Sequence, residues 1–115
     1  MSLFEHVFLS PLGVDEVTAE SLHRFGQGVR IVDVRQPEEW IGELGHIAGS
    51  ELLPLAEFME AASTWDKSAP LALVCRSGAR SGQATVTLKN AGFEHVVNLQ
   101  GGMIAWNAAG YEVER

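Results

Sequence analysis

The only cysteine of the chain, Cys75, opens the stretch CRSGARS, in which Arg76 and Arg80 bracket the small residues Ser77, Gly78 and Ala79 before Ser81. Thiolate is the nucleophilic form of cysteine, and it is favoured where cations, backbone N–H groups or a helix N-terminus converge on the sulfur. Small residues let the loop curl so that successive amides point inward, and a helix starting near Arg80 adds its positive end. The same cradle suits an anionic substrate. Two of only eight basic residues fall in this loop, beside the sole cysteine and with no acid between them. That context outweighs the bland alternative of a small buried cysteine with solvent-facing arginines. Arg80, at the helix start, is the expected grip on an anion, and Arg76 is expected at the rim.

The elements that must position this loop alternate between strand and helix. Val29 to Val34 (VRIVDV) reads as an interior strand, and Leu71 to Val74 as a second strand buried on both faces and ending at Cys75. The pattern predicts helices from the Thr18 cap to Phe25, from Pro37, from Leu55 to Ala62, from Ser81 to Ala91, and after the Gly101–Gly102 turn. Small strands are expected at Glu51–Leu53 and His95–Leu99, and a brief edge strand around Glu16. Residues 1–13, with Pro11 and Gly13, read as an irregular lead-in. Repeated strand–helix units predict one α/β domain over residues 1–115, with a central parallel sheet of about five strands and helices on both faces. Cys75 then lies at a strand's carboxyl end, where open α/β sheets bind ligands.

Composition narrows the function. The formal charge of -7 argues against nucleic acid as the main partner. No apolar run of membrane-span or signal-peptide length is present, so a cytoplasmic location and no membrane partner are expected. One cysteine forms no internal disulfide, and His6, His23, His46 and His95 lack ligand spacing, so neither a metal nor another cofactor is expected. A monomer is the simplest assembly. Asp33, at the end of an apolar strand, needs Arg35 or backbone donors as partners, and His46 is expected to bond nearby backbone.

Four segments in order, IVDVRQPEEW (Ile31 to Trp40), GHIAGS (Gly45 to Ser50), CRSGARS and NLQGGMIAW (Asn98 to Trp106), resemble those of single-domain rhodanese-like sulfurtransferases. The resemblance covers nearly the whole chain. It implies a cysteine that accepts a sulfane sulfur as a persulfide and passes it to a thiophilic acceptor, with Cys75 in that role and Arg76 to Ser81 as its anion-binding loop. It also implies that Asp33 and Arg35 support the core and loop, that Gly45 and His46 form a structural loop signature, and that Gly101, Gly102 and Trp106 form the closing turn. The four residues IGEL between Trp40 and Gly45 depart from the usual family pattern, which is about two shorter; an altered surface loop is expected there.

A cysteine in an amide cradle also serves phosphate-ester hydrolysis. Four residues separate Cys75 from Arg80, whereas the loops of protein tyrosine phosphatases and rhodanese-fold phosphatases hold five, a wider ring that fits a tetrahedral phosphate. Sulfur transfer therefore leads, from thiosulfate or another sulfane donor to cyanide, a small thiol or a protein thiol. A non-catalytic binding module is the alternative, and a small phosphatase or arsenate reductase is disfavoured. With one domain and no second lobe, Cys75 is expected in a shallow, accessible loop.

Overall fold

The computed structural model describes residues 2–115; Met1, the first residue of the expected lead-in, lies outside them. The strands are β1 (Phe8–Leu9), β2 (Asp15–Val17), β3 (Arg30–Asp33), β4 (Glu51–Leu52), β5 (Leu71–Val74) and β6 (Val96–Leu99). The helices are α1 (Ala19–Phe25), α2 (Pro37–Trp40), α3 (Leu55–Ala62), α4 (Ala79–Asn90) and α5 (Gly102–Ala108). One six-stranded sheet runs in the order β1-β2-β6-β5-β3-β4, parallel throughout except for the β1–β2 pair.

The sheet therefore has one more strand than expected and is mixed. The difference lies in the lead-in, which is ordered. Leu3–His6 forms a 3-10 turn capped reciprocally by Ser2 and Glu5, and Leu3 is buried in the core. Phe8–Leu9 then pairs antiparallel with β2, and the Ser10 amide closes the hairpin on the Val14 carbonyl at 2.8 Å. A two-residue strand with both side chains exposed leaves no hydrophobic period to read. It also takes the edge position, so β2 is flanked on both sides.

β5 and β6 form the centre, and every residue of both is buried. Successive side chains of a strand face opposite ways. Thus Ala72, Val74, Val97 and Leu99 pack with Leu22, Met103 and Trp106 of α1 and α5 on one face. Leu71, Leu73, Cys75 and Val96 pack with Phe58, Ala62, Ala84 and Leu88 of α3 and α4 on the other. The two layers explain why these strands read as continuous apolar runs. At α1 the Thr18 hydroxyl accepts the Ser21 amide, as its sequence position predicts. No helix among the described residues is long and apolar enough to cross a membrane.

Candidate active site

Parallel pairing brings the carboxyl ends of β3, β5 and β6 side by side: Asp33 lies opposite Val74, and Leu73 opposite Asn98. The Cys75 loop rises from the middle of this row. Gly78, the N-cap of α4, adopts φ +94, a left-handed conformation that glycine enters without a Cβ penalty. The turn it makes starts α4 at Ala79, two residues before the position expected from sequence, and reverses the chain so that amides face the sulfur. Cys75 Sγ accepts the N–H of Gly78 at 3.1 Å and of Ser81 at 3.5 Å. Ser81 belongs to the first turn of α4, whose amides have no partner within the helix.

Burial pushes the Cys75 thiol up, but the Ser81 hydroxyl and the amides of Ser81, Gly78 and Ser77 outweigh it and hold the thiol below its ordinary value. The sulfur is not in a shallow, accessible loop: Cys75 has 0% of its surface exposed. Its side chain packs into the core layer with Phe58, Ala62, Ala84 and Leu88, while Arg76, Ser77 and Ala79 of the loop meet solvent.

The loop is braced from the C-terminal side. Met103 and Ile104, in the first turn of α5, donate their amides to the carbonyls of Cys75 (2.9 Å) and Arg76 (3.1 Å). Gly102 is what permits this approach. At φ +55, a Cβ on it would stand 2.4 Å from the Cys75 carbonyl oxygen and 2.6 Å from that of Arg76.

Beside the loop, at and just beyond the carboxyl end of β3, Asp33 and Arg35 form a pair exposed by only 1% each. Arg35 Nε and Nη2 reach the Asp33 carboxylate at 2.9 and 2.8 Å, and its remaining donors go to the carbonyls of Gly45 (2.6 Å) and Glu39 (3.2 Å). His46 donates Nδ1–H to the Trp40 carbonyl at 2.9 Å and stacks on the Trp40 ring at 3.5 Å. Its backbone pairs with Glu114, so it clasps the C-terminal tail. The IGEL turn is tied down by Asn107 on the Leu44 carbonyl and Arg115 on the Glu43 carbonyl.

Arg80 does not stand free to grip an anion. Its two terminal nitrogens each bond one carboxylate oxygen of Glu39 at 3.0 Å, a bidentate pair that sequence reasoning had not formed. Arg80's hydrogen bonds hold the Glu39 carboxyl below the usual carboxylate range. Arg76 is exposed and forms no ion pair among the described residues. Arg76 lines a cleft of about 240 Å³ together with Arg35, Glu38, Glu39, Gly42, Glu43 and Leu44. A larger, mostly apolar trough of about 730 Å³ runs along α4 between Gly78–Ala79 and the Ser10–Val14 turn. Among the described residues, no group of three or more His, Cys, Asp or Glu is arranged to hold a metal ion.

The Cys75 loop, the buried Asp33–Arg35 pair and the Gly101–Gly102 turn occupy one end of one sheet. Residues 18–109 match the family described as the rhodanese-like domain. The chain belongs to this family. This rhodanese-like domain is 37% identical over 103 residues to "Sulfurtransferase" of Allochromatium vinosum, covering 87% of this chain and 94% of that one. It is 38% identical over 90 residues to "Thiosulfate sulfurtransferase GlpE" of Pseudoalteromonas translucida, covering 77% of this chain and 84% of that one. Other curated relatives are longer, and the matched segment spans only 21% or 45% of their length. In the crystal structure of a rhodanese-related protein from Thermoplasma volcanium the same fold is found with a TM-score of 0.75, at 30% identity, over 84% of this chain and 94% of that one. Both shorter relatives carry sulfurtransferase names.

Proposed function

We propose that this rhodanese-like domain, residues 1–115 acting as one unit, carries a sulfane sulfur on Cys75. The observation that supports the reading most directly is the ring of amides on Sγ. It stabilises a thiolate without a neighbouring base, and its four-residue span between Cys75 and Arg80 suits one sulfur atom better than a phosphate. In the first step the thiolate attacks the outer sulfur of thiosulfate or another sulfane donor. A Cys75 S–S bond forms as the donor's S–S bond breaks, and the rest of the donor, sulfite in the case of thiosulfate, leaves with the electron pair. Because Arg80 is paired with Glu39, the loop amides and the helix start balance the negative charge, while exposed Arg76 draws the donor in.

In the second step cyanide, a small thiol or a protein thiol attacks the outer sulfur of the persulfide. The Cys75 S–S bond breaks and its electron pair returns to Sγ, completing a double displacement in which neither step calls for a metal or an organic cofactor. With no second cysteine, release goes to an external acceptor.

Intact-mass measurement after mixing with thiosulfate tests the reading. The expected adduct is about 32 Da, one sulfur atom, removable by cyanide and absent in Cys75→Ser. Folded protein whose Cys75 can be alkylated but gains no adduct would favour the non-catalytic binding module. Release of phosphate from an aryl phosphate would favour a phosphatase.

A further inference from the structure

Behind the loop, on its β6 side, sits Asn98, a polar side chain with 0% exposure and three hydrogen bonds. Its Nδ2 donates to the Gly78 carbonyl at 3.0 Å and to Glu16 Oε2 at 2.8 Å, and its Oδ1 accepts the Ser81 hydroxyl at 2.5 Å. A carboxylate and a carbonyl only accept, so the amide has one permitted orientation and its oxygen must face Ser81. Glu16 reaches Asn98 from β2, where the two residues stand opposite each other, and it forms no ion pair among the described residues. Asn98 thus holds Gly78 and Ser81 together, and those are the two residues whose amides bond Cys75 Sγ.

We propose that Asn98 is a positioning residue for the Cys75 nucleophile: oriented by Glu16, it clamps Gly78 and Ser81 at the spacing that aims their N–H groups at the sulfur. The inference deepens the sulfur-transfer reading and rests on it for its role in turnover. It accounts for a buried amide at the end of an otherwise apolar strand, where Val96, Val97 and Leu99 serve the core. It also accounts for a carboxylate drawn toward the loop without a cation. The Ser81 hydroxyl, which also acts on the Cys75 thiol, has one proton and donates it to Asn98 Oδ1, so Asn98 competes with the sulfur for it. Besides Glu16, the charged groups around the loop are Arg76, Arg80 with Glu39, and Arg35 with Asp33; the variants below leave these others unchanged.

The test is the pH dependence of Cys75 alkylation by iodoacetamide, which reads the thiolate without any sulfur donor. Asn98→Ala is expected to raise the midpoint by about half a pH unit or more, roughly threefold less thiolate below the midpoint. Glu16→Leu, farther from the sulfur and part-exposed, is expected to give a smaller rise, and Glu16→Gln, which keeps an oxygen for Nδ2, to restore the wild-type midpoint. Should Asn98→Ala fail to fold, the Glu16 pair decides. A midpoint that is unmoved in folded Asn98→Ala or Glu16→Leu protein, or that falls because the Ser81 proton is released to the sulfur, overturns the proposal. A purely structural Asn98 would lower the melting temperature and leave the midpoint in place. Absence of the persulfide adduct would count against the sulfur-transfer reading alone, because the alkylation profile does not depend on it.

Discussion

Arg35→Met leaves a buried acid without its base, and the structure sets the scale of the loss. The Asp33–Arg35 pair is 1% exposed on both sides, so water replaces neither partner. Removing one partner of such a pair costs about 3–5 kcal/mol, because the other charge stays buried. Methionine also leaves the carbonyls of Gly45 and Glu39 without the guanidinium donors they now accept at 2.6 and 3.2 Å, which adds on the order of 1 kcal/mol each where water cannot reach. A domain of this size is stable by roughly 6–17 kcal/mol, so a large share of its stability is at stake. Urea titration followed by far-UV circular dichroism measures it. The expected result is a midpoint drop equivalent to at least 3 kcal/mol at unchanged slope. The double variant Asp33→Leu/Arg35→Met, which removes both charges, is expected to recover part of the loss, since an apolar pair is often as stable as a buried ionic one. A single-variant loss below about 1 kcal/mol, or a double-variant loss equal to the sum of the Asp33→Leu and Arg35→Met losses, refutes the claim that the pair is a desolvated unit.

Glu39→Gln removes the carboxylate that holds Arg80; the freed guanidinium should lower the KM for thiosulfate several-fold in a cyanide-coupled assay, with stability changed by less than about 1 kcal/mol because the pair is partly exposed. Gly102→Ala forces a Cβ against two loop carbonyls at a positive φ, and thermal melts should show a loss of about 1–3 kcal/mol accompanied by slower Cys75 alkylation. The Glu51 carboxyl is held below its ordinary value by hydrogen bonds from Arg30, so its contribution is fully present above the unfolded carboxyl value of about 4.3 and is lost as pH falls through the lower folded value. Glu51→Gln should therefore flatten the acid limb of the stability profile by a few tenths of a kcal/mol, the discount its exposure requires.

What sequence could and could not disclose follows from the range of each interaction. The Cys75 loop was legible because its signal is local: one cysteine, two arginines and four small residues within seven positions, after an apolar strand. Asp33 with Arg35 was legible for the same reason, being two residues apart at a strand end. Arg80 with Glu39 was not, because the pair spans 41 positions and exists only through the parallel register that sets β3 beside β5. Asn98 has no legible role within the NLQGGMIAW motif, since its partners come from two other segments, Gly78 and Ser81 from the Cys75 loop and Glu16 from β2. The burial of Cys75 is not legible in the sequence because α3 and α4, which pack on its face of the sheet, come from separate segments. β1 escaped notice because two exposed residues have no period.

The placement of Arg80 changes what the positive character of the site consists of. In a chain of net charge -7, two arginines beside a cysteine suggest that guanidinium groups hold the anion. The structure assigns one of them to Glu39, and the groups in contact with the sulfur are backbone amides in the first turn of α4 and at its cap. Amides do not titrate, and they do not move independently of the helix. Their field is therefore as exact as the loop's curvature, which depends on Gly78 at the turn, on Gly102 behind it and on Asn98 beneath it. It follows that substitutions which bend the backbone should affect the Cys75 thiolate more than substitutions which remove a loop charge. A comparison of Gly102→Ala with Arg76→Ala in the same alkylation assay puts that ordering to the test: a larger midpoint shift in Arg76→Ala would mean that side-chain charge, and not the amide ring, governs the sulfur.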